Sequence, residues 1–218
     1  MAGDEVWRRR LGTATIAPDA EVVAGSVGTW VITYTVGSYG IDEGGTIKLG
    51  QRFASDWQPP QFDDPKAPAY STVTTTGDAK LRPHFEKKGH DRPWMKCLVI
   101  DVYDGSLAPG DVVTITLGNT TSGGPGIRAQ TFQESAHEFR VFVDPTNACV
   151  ARPIAQSPTV RVTAGEARSL VIIVPTQATV GSPVEVFVKG EDRWSNPVRI
   201  DDDAALSLHY EGDGDARI

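Results

Sequence analysis

Apolar residues recur at every second position over most of this chain. In 29–36 the residues Trp30, Ile32, Tyr34 and Val36 share one face while threonines dominate the other. That is the alternation of a half-buried antiparallel strand. The same period returns at Val113, Ile115 and Leu117, at Phe139, Val141 and Val143, and at Val184, Val186 and Val188. Segments 97–103 and 169–174 are apolar on both faces and read as central strands. Turn chemistry separates these runs: Asp104-Gly105, Pro109-Gly110, Gly123-Gly124-Pro125-Gly126 and Ser195-Asn196-Pro197. No segment holds a 3.6-residue period over three turns, which leaves short helical turns near 3–9 and 133–137. The expected fold class is all-β, antiparallel β-sandwich (Ig-like) modules with little helix.

Residues 51–93 break the pattern. Pro59-Pro60, Pro65, Pro68 and Pro83 remove ladder donors, and Trp57, Phe62, Tyr70 and Phe85 are spaced between them. This reads as a long excursion whose aromatics dock on the sandwich, with a strand resuming near 70–76. Long loops with order of their own are often functional. Trp57, Phe62, Tyr70 and Trp94 are therefore the candidate aromatic platform for a sugar or other small ligand. A boundary is expected where Pro153 and Pro158 flank a small polar stretch, giving a first domain over 1–155 and a second unit over 156–218. The second is short, because an Ig-like sandwich needs about seven strands and about 100 residues. Gly25-Ser26, Pro109-Gly110 and Gly181-Ser182 each lead into an alternating strand, a shape that suggests repeated Ig-like units.

Charge and chemistry narrow the function classes. A net charge of −7 argues against a nucleic-acid partner, which needs clustered Lys and Arg; the one basic run, Arg8-Arg9-Arg10, is short. No apolar run approaches the roughly 18 residues that span a bilayer, so no membrane partner is expected. The opening Met1-Ala-Gly-Asp-Glu lacks the apolar stretch of a secretory signal, and a cytoplasmic location is the default expectation. Cys97 and Cys149 are too few for a disulfide scaffold.

His84, Glu86, His90 and Asp91 form the densest set of potential metal ligands, though the spacing matches no zinc signature and two lysines lie between them. A solvated polar loop is the simpler reading. His137 and Glu138 are strand neighbours that face opposite sides unless a bulge intervenes, which favours an edge or surface role. Asp201-Asp202-Asp203 and Asp213-Gly214-Asp215 offer oxygens to calcium but lack the EF-hand spacing. Gly118 to Gly126 lacks the Gly-Lys-Ser/Thr ending of a phosphate-binding loop and reads as a pinned turn. No catalytic motif is assembled, so no catalytic residue is assigned and no cofactor is expected.

Two stretches carry a resemblance. They are Gly110-Asp111-Val112-Val113-Thr114-Ile115-Thr116-Leu117-Gly118 running into Gly124-Pro125-Gly126-Ile127-Arg128-Ala129-Gln130, and Val180-Gly181-Ser182-Pro183 through Gly190-Glu191-Asp192-Arg193-Trp194-Ser195-Asn196-Pro197. Together they resemble the N-terminal β-rich region of a bacterial family of unassigned function. Its members also carry a PHP-type metal-dependent hydrolase-like domain opened by a Gly-Asp-Leu-His segment. The resemblance covers about Gly110 to Ile218 and stops before any such histidine motif, so no family catalytic residue is carried over. It implies an accessory module for a metal-dependent hydrolase, acting in cis or in trans, whose partner is a catalytic domain or subunit or a second copy. A stand-alone small-ligand or carbohydrate-binding sandwich is the alternative, and an enzyme with a metal site near His84 and His90 is a second one.

Overall fold

A computed structural model describes residues 2–200. In chain order come helix α1 (Ala2–Arg9) and strands β1 (Gly12–Ala17), β2 (Val22–Val23), β3 (Val27–Gly28), β4 (Trp30–Val36), β5 (Thr46–Gln51), β6 (Thr72–Thr75), β7 (Lys80–Glu86) and β8 (Lys96–Tyr103). There follow β9 (Val112–Leu117), β10 (Ile127–Arg128), β11 (Glu134–Glu138), β12 (Arg140–Asp144), β13 (Arg152–Pro153), β14 (Thr159–Thr163), β15 (Ser169–Ile173), β16 (Phe187–Glu191) and β17 (Pro197–Val198). The all-β class read from the alternation is what forms. The residues fall into two compact units that meet in sequence at Thr163/Ala164.

The first unit is a sandwich of two antiparallel sheets, ordered β1-β4-β9-β6 and β13-β12-β5-β8-β7. Its core follows directly from the period of two. Trp30, Ile32, Tyr34 and Val36 of β4 are buried, as are Val113, Ile115 and Leu117 of β9. From the other sheet Ile47, Leu49, Leu98, Ile100 and Val102 are buried, with Ile47 opposite Ile100 and Leu49 opposite Leu98. The Tyr34 hydroxyl donates to the Leu11 carbonyl, which satisfies the one polar atom that this buried ring brings inside. Burial pushes the phenol far above its ordinary value, and a Gly37 amide hydrogen bond only partly offsets this. Strand β8 is central and buried across both faces, as its continuous apolar run predicts.

Local expectations give way at several points, and the strand read at Val184, Val186 and Val188 forms instead at Phe187–Glu191, with Val184 and Val186 exposed. The strand Thr159–Thr163, read as the start of the second unit, pairs antiparallel with β11 and parallel with β2, so it belongs to the first. The excursion is shorter than 51–93, because residues 80–86 form β7 at a sheet edge despite Pro83. An edge strand has one side without ladder partners, where a missing N–H is tolerated. Residues 133–137 contribute to β11 rather than to a helical turn. The run 169–174 supplies an edge strand, not a central one, in the sheet β15-β16-β17 of the second unit.

That second sheet is pinned by the turn between β16 and β17. Asp192, buried, accepts hydrogen bonds from the amides of Trp194 (2.8 Å), Asn196 (2.9 Å) and Gly165 (2.9 Å) and from the Asn196 side chain (2.9 Å). Ser195 completes the turn at φ 65°. Burial alone would raise the Asp192 carboxyl, but the hydrogen bonds from Asn196, Gly165 and Trp194 outweigh it and hold the group below the usual carboxylate value.

Candidate functional site

The outer face of the five-stranded sheet gathers the titratable side chains. On β7, His84 and Glu86 are two residues apart and share that face, and Asp101 of β8 joins them diagonally across the ladder. His84 Nε2 lies 3.2 Å from Glu86 Oε1, and Nδ1 lies 3.7 Å from Asp101 Oδ2. Facing them is the turn after β12. The Asp144 carboxylate accepts from the amides of Thr146, Ala148 and Val150, and Asn147 and Cys149 take left-handed backbone at φ 53° and 57°. Between the two walls is a concavity of about 280 Å³ that also reaches Lys48 and Val99 on its floor. Lys48 Nζ donates to the Gly89 carbonyl at 2.7 Å, which tethers the 87–95 loop over one end of the sheet. Three carboxylates (Glu86, Asp101 and Asp144) with the Lys48 ammonium and the His84 ring, beside an exposed thiol, make a lining that suits a small polar ligand.

The four residues of the candidate metal set divide. His84 and Glu86 line the concavity, whereas His90 and Asp91 belong to the loop above the sheet and do not. The His90 ring lies 3.9 Å from the ring of Phe142, and its Nδ1 accepts from the Asp91 amide at 2.7 Å. Burial lowers its pKa, Lys48 and Arg140 add to that, and Asp91 opposes them. Among the described residues no group of three or more His, Cys, Asp or Glu is arranged to hold a metal ion. The calcium candidates at 201–203 and 213–215 lie outside the described residues.

The four aromatics do not form a row. Trp57 is 2% exposed and packs edge-on against Trp30 (4.9 Å between centroids) and Phe139 (5.0 Å), and flat on His137 (5.1 Å). Trp94 lies over Gly50 on the outer face, with the Arg52 and Arg140 guanidiniums 5.4 and 5.3 Å from its ring. Phe62 and Tyr70 are half-buried within the excursion, where Asn119 donates to the Tyr70 carbonyl. The cysteines stay unpaired, Cys97 buried and Cys149 exposed. Burial, helped by Glu86 and opposed by Lys48, pushes the Cys97 thiol up to about 11.

His137 is the main surprise. A register shift between Glu134 and His137 turns this ring inward, so it is 2% exposed rather than on an edge or surface. Nδ1 lies 3.1 Å from Glu134 Oε2, while Nε2 is buried with no protein partner. Burial lowers its pKa, the hydrogen bond and charge of Glu134 pull the other way, and Arg52 lowers it again. The folded protein thus binds this proton less readily than the unfolded chain. Stability is expected to be full above the ordinary histidine value of about 6.5 and to fall as pH drops through it toward the folded value. Denaturant midpoints between pH 8 and pH 5 check this, and a slope that persists unchanged in His137→Phe would assign it to another group.

Sequence reasoning missed Lys48, Asp101, Asp144 and Cys149. The alternation places Lys48 and Asp101 on outward faces of their strands, but nothing local says that β5 and β8 are neighbours.

Fold and site together define a β-sandwich protein with a polar concavity on one sheet. No known protein family matches the chain, and no curated protein matches it. The chain is similar to a cohesin module from the family 33 glycoside hydrolase of Clostridium perfringens ATCC13124, at TM-score 0.39 and 11% identity over 72% of this chain and 99% of that one. So distant a likeness carries no function with it.

Proposed function

We propose that this chain is a non-catalytic accessory module that works with a metal-dependent hydrolase-like domain, joined to it or as a separate chain. The apolar surface of the 164–200 unit supports this reading. Leu170, Ile172 and Phe187 are 54%, 56% and 60% exposed, and Ile173 is the cross-strand partner of Phe187. Single exposed apolar residues are ordinary, but this small sheet exposes them on both faces, Leu170 and Ile172 on one and Ile173 and Phe187 on the other, as surfaces covered by another protein do. The double variant Ile172→Lys/Phe187→Lys is expected to fold with a loss under about 1 kcal/mol and to lose association with the co-expressed hydrolase-like domain in sedimentation velocity. Unfolding of the double variant would make these residues internal to the unit and remove the support. Phosphomonoesterase turnover by the chain alone with Mn²⁺, abolished in His84→Ala, would instead make it an enzyme.

A second reading is a small-ligand-binding sandwich whose site is the concavity of Lys48, His84, Asp101 and Cys149 rather than an aromatic platform. Under it, His84→Ala leaves stability within about 0.5 kcal/mol and erases a ligand-induced thermal shift seen with native protein across a panel of sugars and carboxylates. Equal shifts in both proteins would discard it.

A further inference from the structure

The open side of the first sandwich holds a slot shaped for one more strand. On one wall run residues 12–16 of β1, on the other residues 155–159, with about 790 Å³ between them. Five residues of extended chain span about 17 Å, the length of the wall that residues 12–16 offer.

The backbone of β1 is presented to that slot. The Val36 amide donates to the Asp111 carbonyl (2.8 Å), and the Val36 carbonyl accepts from Gly110 (2.9 Å). Val36, Tyr34 and Ile32 therefore address the β9 side of β4, leaving Thr35, Thr33 and Val31 to address β1. Their opposite numbers Thr13, Thr15 and Ala17 spend their backbone groups on β4. Ala14 and Ile16 turn theirs outward.

Edge strands are usually guarded by charge, proline or brevity. The other edges of the two sheets follow that rule: β6 has four residues, β7 carries Lys80, Arg82 and Pro83, and β13 is two residues with Pro153. Strand β1 has six residues, Gly-Thr-Ala-Thr-Ile-Ala, with neither charge nor proline. Arg8 and Arg9 stand at one end of the slot and Asp19 at the other.

We propose that β1 is a β-augmentation site that takes an extended segment of another polypeptide, about five residues long, with a carboxylate toward Arg8 and Arg9 and a basic group toward Asp19. Main-chain hydrogen bonds to Ala14 and Ile16 supply the affinity, and the charges at the two ends set the direction. This surface is on the first unit, and the inference does not depend on the accessory-module reading.

The test selects a phage-displayed random hexapeptide library on the immobilised full chain and follows synthesised, fluorescein-labelled winners by anisotropy. The expected winners alternate β-branched with polar residues and carry Asp or Glu at one end. Ala14→Pro removes an outward N–H and spares the β4 ladder, so it should weaken binding about tenfold or more, the loss of about 1.4 kcal/mol. Arg9→Glu should weaken the acid-bearing peptides in particular. N-methylation of alternate peptide amides should abolish binding to native protein, and this arm decides the matter if Ala14→Pro does not fold. Failure to enrich any peptide would overturn the proposal. So would winners that bind Ala14→Pro as native, or that tolerate N-methylation in either register.

Discussion

Replacing Trp57 by Ala is expected to remove about 3–5 kcal/mol from the first unit. The indole is wedged between Trp30, His137 and Phe139, each within about 5 Å of it, and almost none of it reaches solvent. Truncation leaves a cavity walled by rigid rings on at least three sides. Such rings do not collapse inward, so the cost stays near the upper end of the range. Trp30→Ala should cost a similar amount, because Trp30 is the neighbouring plug and is 4% exposed. The two losses should not add, since each variant empties the space against which the other ring packs. Urea unfolding at pH 8 gives the numbers. A loss below about 1 kcal/mol for either substitution would place that ring outside the core.

Asp192→Ala is the second large effect, and it falls on the other unit. Four donors converge on this carboxylate, three of them from the turn that joins β16 to β17, and alanine removes their shared acceptor. Each buried donor left unmet costs about 1–3 kcal/mol. Expected is loss of amide protection at Val188, Lys189 and Gly190 by hydrogen exchange, an effect of more than about 3 kcal/mol on local opening. The native carboxyl is held below its ordinary value, so its contribution is complete above about pH 4 and fades as pH falls through the folded value. Protection that survives Asp192→Ala, or that shows no acid dependence in native protein, would mean the turn is held by something else.

That turn was visible in the chain itself. Glu191-Asp192-Arg193-Trp194-Ser195-Asn196-Pro197 puts an Asx residue ahead of a left-handed position and a proline, chemistry that acts within seven residues. The core was visible for the same reason. Side chains on a strand alternate whatever lies across the sheet, so Trp30, Ile32, Tyr34 and Val36 had to share a face, and an apolar face had to be buried.

Pairing is where local reading stops. Nothing near Thr159 announces that its strand crosses back to β2 and β11, because register between distant strands depends on which edges are free once the sandwich has closed. His137 shows the same limit at the scale of one ring. Strict alternation put it opposite its neighbour and at an edge or surface, and an irregularity in β11 turned the ring inside. The polar concavity is likewise a product of closure: His84, Lys48, Asp101 and Cys149 come from four separate segments that meet only through the β5–β8–β7 ladder and the turn after β12. Sequence by itself determined the strand class, the buried faces and the tight turns, since each rests on forces acting over a few residues. Tertiary structure alone decided the unit boundary, the buried histidine and the site, since each rests on which strand came to lie beside which.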